Sequence, residues 1–224
     1  MVVKRVLGTL TIGQSPRVDL IPEMKDILGG NVEVLEAGAL DGLTLEEVQG
    51  LYPGPDDYVL VTRMADGTSV KIAERHILPR MQERIDGLVA RGAEIIALVC
   101  TGEFPPFHCD RLIVRPQRVL HNTTAAVAGG LNLGVLLPDA DQIPQGTRRW
   151  TGAASAVRIE PASPYGPVEA IGRAAANLRE WGAQLVVMDC IGYTLAMKDT
   201  VREITGVPVV LARSIVARVV AELL

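Results

Sequence analysis

The chain carries one module twice. ARGAEIIALVCTGEF surrounds Cys100, and REWGAQLVVMDCIGYT surrounds Cys190. Each copy runs from a helix-like stretch through Gly-Ala (Gly92-Ala93, Gly182-Ala183), a polar residue and an apolar run to a cysteine at the same offset. A glycine, Gly102 or Gly192, then follows in the turn. A continuous apolar run of this kind reads as a strand buried on both faces, as in a parallel sheet. The repeat therefore places a thiol at the C-terminal end of a buried strand in each half, where open α/β sheets hold their ligands. Two such thiols facing one cleft would form a symmetric pair for moving a proton on and off a carbon.

The repeat extends further. After Cys100 come a loop, a strand-like LIVRP and a helix-like QRVLHNTTAAVAGG; after Cys190 come a short helix, VPVVLARS and SIVARVVAELL. Each half opens on an apolar run holding Leu-Gly, VLGTLTIG and LGVLLPD. Strand and helix signals alternate throughout, which predicts an α/β protein of two pseudo-symmetric parallel-sheet halves. The expected halves are residues 1–130 and 131–224, divided at Gly129-Gly130. One segment breaks the pattern. Asp66-Gly67 lies between two alternating β-rich arms, which predicts a hairpin over residues 58–74. The second half has no counterpart, so the hairpin is an insertion, either a sheet edge or a flap. Pro16-Arg17 is expected to start a helix ending at Gly29-Gly30, with Ser15 as N-cap. Thr44 and Glu47 have capping-box spacing.

The formal charge of −4 and pI near 5.5 give no footing for nucleic acid. No apolar run approaches the roughly 18–20 residues of a membrane span. The opening MVVKRVLGTLTIGQSPR does not read as a secretory signal, and three cysteines, an odd number, predict reduced thiols in a cytoplasm. His76, His108 and His121 lack metal-ligand spacing, and no Gly-rich nucleotide motif follows the first strand, so neither metal nor cofactor is expected.

Cys100 and Cys190 are the candidate catalytic residues, as base or nucleophile. Their turns, Thr101-Gly102-Glu103 and Ile191-Gly192-Tyr193-Thr194, are expected to offer backbone N–H groups to an anion. Gln14, Ser15 and Arg17 form a second candidate, a helix N-terminus binding a substrate carboxylate. Capping alone is the plainer role for Ser15. Arg213-Ser214 and Arg115 end the strands that follow the cysteine units. Each arginine is either an exposed strand-end residue or a carboxylate clamp at the cleft rim, and Thr62-Arg63 is a weaker candidate of the same type. Cys109, outside the repeat, is read as incidental.

LTIGQSPR, RPQRVL, DCIGYT and VPVVLARSIVARVVAELL resemble the AroM family, along essentially the whole chain. More distantly the chain is similar to the aspartate/glutamate racemase superfamily. That resemblance implies a cofactor-independent enzyme with one cysteine from each half at the cleft, a polar serine-containing turn near Gln14-Ser15, and a small carboxylate ligand. The superfamily includes amino-acid and hydantoin racemases, maleate isomerase and arylmalonate decarboxylase. The chain lacks the racemases' usual Asn-Thr and Cys-Thr-Glu or Cys-Thr-His signatures: Thr-Gly-Glu follows Cys100 and Ile-Gly-Tyr follows Cys190. Two expectations follow. One is a racemase or isomerase using both thiols. The other is a non-catalytic carboxylate-binding or regulatory protein on the same scaffold. Assembly into a homo-oligomer is left open.

Overall fold

The computed structural model describes residues 4–224 and divides into two compact units. The first comprises the chain up to Pro116 together with Ala217–Leu224, and the second comprises Gln117–Val216. The sequence boundary at residues 130/131 follows the glycine break after a helix. The structural one falls before that helix, because the end of a local element and the end of a packing unit need not coincide.

In the first unit the elements are β1 (Arg5–Thr11), α1 (Ile21–Leu28), β2 (Val32–Gly38), α2 (Leu45–Gln49), β3 (Val59–Arg63), β4 (Ser69–Ala73), α3 (Glu74–Ala90), β5 (Ile95–Leu98) and β6 (Leu112–Val114). Helix α4 (Pro116–Ala128) follows. The second unit continues with β7 (Asn132–Leu137), a short 3₁₀ turn (Ala140–Gln142), α5 (Ile143–Trp150), β8 (Ala156–Pro161), α6 (Val168–Trp181), β9 (Leu185–Met188), α7 (Leu195–Thr205) and β10 (Val209–Leu211). Helix α8 (Ala212–Leu223) ends the chain.

Both main sheets are parallel and share one topology. Their orders are β2-β1-β5-β6 and β8-β7-β9-β10. The register is shared too: Leu10 pairs with Leu98 and Leu136 with Met188, each two residues before a cysteine. One further ladder bond closes each pair, Val99 N–H to Leu10 O at 2.8 Å and Asp189 N–H to Leu136 O at 2.9 Å.

The repeated Leu-Gly has a packing cause. A Cβ on Gly8 would lie 2.7 Å from Ile96 Cδ1, 3.0 Å from Ala93 Cβ and 3.3 Å from Leu88 Cβ. On Gly134 it would lie 2.9 Å from Leu178 Cδ1. Leu88 and Leu178 occupy the same place in the crossover helices α3 and α6, five residues before Ala93 and Ala183. A bare strand lets each helix close onto its sheet. The Cβ atoms of Ala93 and Leu88 are fixed to backbone and cannot swing away. Gly8→Ala is therefore expected to cost about 1–3 kcal/mol, the usual range for overpacking, read by urea denaturation.

The predicted hairpin exists, with β3 and β4 antiparallel and Gly67 at φ +90° in the turn. It forms a sheet of its own, so it is not an edge of the main sheet. Its Leu60 and Ile72 are buried in the same core cluster as Leu10, Ile77, Met81 and Leu88. It is thus packed into the core of the first unit. The capping box at α2 is also present, with Thr44 N–H donating to Glu47 Oε2 at 2.7 Å and Glu47 N–H to Thr44 Oγ1 at 3.2 Å. The expected helix start at Pro16 is corrected: α1 begins at Ile21, with Pro22 in its first turn. Arg17 O accepts from Leu20 and Ile21 N–H, each at 3.0 Å, closing a turn before the helix.

Candidate functional site

In each main sheet the strand order reverses beside the first strand, between β1 and β5 and between β7 and β9. Such switch points open a crevice at the C-terminal strand ends. Cys100 lies just past β5 and Cys190 just past β9, so each unit puts its thiol at its own switch point. Both are partly exposed and neither is in a disulfide.

The two turns repeat one hydrogen bond. Gly102 N–H donates to Cys100 Sγ at 3.3 Å, and Gly192 N–H donates to Cys190 Sγ at 3.3 Å. An N–H aimed at sulfur favours the charged form over the neutral one. Both glycines are also sterically required. A Cβ on Gly102 would lie 2.8 Å from Leu60 Cδ2, and one on Gly192 would lie 2.5 Å from Tyr165 Oη and 2.9 Å from Pro164 Cγ. The glycine amides, expected to face an external anion, each point at the sulfur of their own turn.

An arginine braces the Cys190 turn, and another bonds the loop that follows the Cys100 turn. Arg213, at the start of α8 and 1% exposed, donates from Nε to Ile191 O at 2.9 Å and from Nη2 to Gly192 O at 3.0 Å. Arg115 Nη1 donates to Phe104 O at 3.3 Å in the loop after Cys100. Arg213 is therefore a buried clamp on the Cys190 turn, and not the exposed rim residue expected of a strand-end arginine. Ser214 is buried, with Oγ donating to Leu211 O at 3.2 Å. Thr101 and Ile191 are buried as well.

Tyr193 and Thr194 do structural work. Tyr193 is fully buried and its hydroxyl donates to Ala162 O at 2.6 Å. Burial, and then the charges of Cys190, Asp189 and Tyr165, push its phenol well above the ordinary tyrosine range, so it remains a neutral donor. Thr194 caps α7, its Oγ1 accepting from Met197 N–H at 3.2 Å.

The Gln14–Arg17 turn is built on carboxylates. Asp41 accepts from Ser15 N–H at 2.7 Å, from Ser15 Oγ at 2.7 Å and from Gly38 N–H at 2.7 Å. Gln14 N–H donates to Arg63 O at 3.1 Å and Arg17 N–H to Glu36 Oε2 at 2.7 Å. The Gln14 side chain bridges Leu40 O, Leu43 O and Ala65 N–H. The amides of Gln14, Ser15 and Arg17, expected to face an anion, are engaged within the protein. Ser15 does not cap a helix. The loop carrying Asp41 is held in turn by α3, where Arg80 and Arg84 donate to the carbonyls of Gly38, Ala39 and Asp41.

Arg17 is buried and forks onto Asp19, Nε to Oδ1 at 2.9 Å and Nη2 to Oδ2 at 2.8 Å, while Nη1 reaches Thr11 Oγ1 at 2.9 Å. Its guanidinium is thus held by Asp19 and Thr11. Burial pulls Asp19 upward, but the hydrogen bond and charge of Arg17, with Arg63 adding, hold it below its ordinary value. A carboxyl depressed on folding stabilises the fold above its unfolded pKa of about 3.9. That contribution is lost as pH falls through the lowered folded value. Asp19→Asn is therefore expected to be less stable than wild type at neutral pH, with the gap closing below about pH 3.9. Urea midpoints across pH measure this, and a gap constant with pH would refute it.

Several residues that the sequence reading did not single out shape the Ser15 turn and the Cys190 turn. Asp41 and Glu36 organise the Ser15 turn, Tyr165 packs on Gly192, and Asp189 pairs with Arg149 and Trp150 beside Cys190. Only Asp189 carried a signal, as the one charged residue directly preceding a repeated cysteine. Among the described residues no three His, Cys, Asp or Glu side chains converge as metal ligands, and no helix is long and apolar enough to cross a membrane.

The solved structures most similar in fold include an aspartate racemase from Picrophilus torridus, with TM-score 0.66 and 10% identity over 97% of this chain and 93% of that one. Allantoin racemase from Pseudomonas fluorescens gives TM-score 0.59 and 16% identity over 97% and 89%. A Nocardia farcinica maleate cis-trans isomerase gives TM-score 0.62 and 13% identity over 97% and 91%. At these identities the likeness is one of fold. No curated protein matches the chain in sequence. The family model for AroM protein matches residues 7–224, nearly the whole chain and both thiol turns, and the chain therefore belongs to the AroM family, on the fold of the aspartate/glutamate racemases.

Proposed function

We propose that the protein is a cofactor-independent racemase or isomerase of a small carboxylate, with Cys100 and Cys190 as the acid–base pair. One thiolate removes the proton from the carbon beside the carboxylate, and the other thiol returns a proton to the opposite face. The reading needs one carbon to be served by both sulfurs. The observation that carries it is the placement of both thiols at equivalent switch points, each with an N–H···S contact of 3.3 Å; Cys109 also accepts from Arg111 N–H, at 3.4 Å, but lies outside the repeated strand ends. The neighbours of like fold, two racemases and an isomerase among them, support the same class of chemistry.

The test is proton exchange in D₂O with amino acids, hydantoins and dicarboxylates, followed by NMR of the hydrogen beside the carboxyl. Exchange at that position is the expected result. No exchange with any of these compounds, together with saturable protection of both thiols from alkylation by one of them, would favour the second reading, a carboxylate-binding or regulatory protein. The specific support for that reading is the departure from the Cys-Thr-Glu and Cys-Thr-His patterns after both thiols.

A further inference from the structure

The two thiol turns match in register but differ in charge. Buried Val99 precedes Cys100, whereas Asp189 precedes Cys190. Asp189 Oδ2 accepts from Arg149 Nη2 and from Trp150 Nε1, the latter at 2.8 Å. The side chains of Arg149 and Asp189 are 5% and 1% exposed. His121 of α4 stacks against Trp150, ring centres 5.2 Å apart. Taking an ion pair out of water is costly, and an apolar pair of similar volume often gives equal or better stability. The first unit shows an apolar residue at the equivalent position of the same topology. Stability is therefore a poor reason for charge at this one.

We propose, resting on the reading that Cys190 works as a thiolate, that the Arg149–Asp189 pair is a positioning device that sets the ionisation of Cys190 and makes the two thiols chemically unequal. Asp189 lies just past β9, at the switch point, and Arg149 reaches it from the last turn of α5. A buried charge acts through little water, so its effect on a nearby thiol is large. The other charged or titratable groups on these elements include His121 on α4, Asp139 and Asp141 after β7, Arg148 on α5, Arg158 and Glu160 on β8, Tyr165 in the loop after β8, Tyr193 in the turn, Lys198 and Asp199 on α7, and Arg213 on α8. Asp189 adjoins Cys190 in the chain, and Tyr193 N–H donates to Cys190 O at 3.4 Å in the same turn. At the position before Cys100 the first unit has Val99, so no carboxylate stands at the equivalent place in the chain.

The experiment is the pH dependence of alkylation of each cysteine by iodoacetamide, followed by peptide mass spectrometry on the full chain. Asp189→Asn keeps an acceptor for Trp150 and removes one negative charge. Its Cys190 midpoint is expected about one pH unit lower than in wild type. Arg149→Met removes one positive charge and is expected to move that midpoint up by about the same amount. The Cys100 midpoint should stay put in both, and it also reports an intact first unit. If Arg149→Met melts below the assay temperature, the nearly isosteric Asp189→Asn decides alone. An unchanged Cys190 midpoint in folded Asp189→Asn overturns the proposal, as does an equal shift at Cys100. Failure here would leave proton exchange by the wild type untouched, and failure of exchange would leave these midpoints standing, so the two ideas fall separately.

Discussion

Serine in place of Cys190, or of Cys100, is expected to reduce racemisation or isomerisation by about 10²–10⁴-fold, the contribution of a positioned general acid or base. The hydroxyl is nearly isosteric with the thiol, and the glycine N–H of each turn still finds an acceptor. The fold should therefore survive, and thermal melts should overlay. What is lost is acidity. A cysteine with a reference pKa of about 8.5 reaches the thiolate at modest cost, and a serine hydroxyl does not. Each single variant should keep exchange from the face whose thiol remains. NMR of substrate stereoisomers in D₂O separates the two faces. Exchange undiminished in the double variant would remove the thiols from the mechanism.

Gly38→Ala is expected to destabilise the first unit by about 3–5 kcal/mol, combining overpacking with the loss of a hydrogen bond to a charged group. The added Cβ would lie 2.6 Å from Asp41 Oδ1 and 2.7 Å from Ser15 N, and also against the Gly13 carbonyl. Asp41 Oδ1 and Ser15 N belong to the three-donor network on Asp41, and Gly13 O accepts from Leu40 N–H at 3.0 Å, so none can retreat without breaking a bond. Urea denaturation gives the magnitude, and the amide resonance of Ser15 gives the location. A loss under about 1 kcal/mol would mean that the turn is softer than its hydrogen bonds imply.

What could be read from sequence was local. The apolar runs before Cys100 and Cys190, the Leu-Gly pairs, the Asp66-Gly67 hairpin and the Thr44–Glu47 box are each written within a few residues, and each is present. What could not be read depends on partners far along the chain. Asp41 meets Ser15 from 26 residues away and Asp189 meets Arg149 from 40. The arginines misled for the same reason. Arg213 ends a strand and reads as a rim residue, yet its guanidinium turns inward onto carbonyls 21 and 22 residues upstream. Residue type gives a charge, but only packing says whether that charge faces water, a ligand or the backbone.

The difference between Val99 and Asp189 has a consequence in kinetics. Mirror-image substrates have equal energy, so a racemase with unequal thiols must still show equal kcat/KM in its two directions. Any inequality is confined to how that ratio splits into kcat and KM, and to isotope effects that differ with the handedness of the starting acid. A duplicated fold with one charged and one uncharged shoulder would thus record its broken symmetry in individual rate constants while leaving their thermodynamic product untouched.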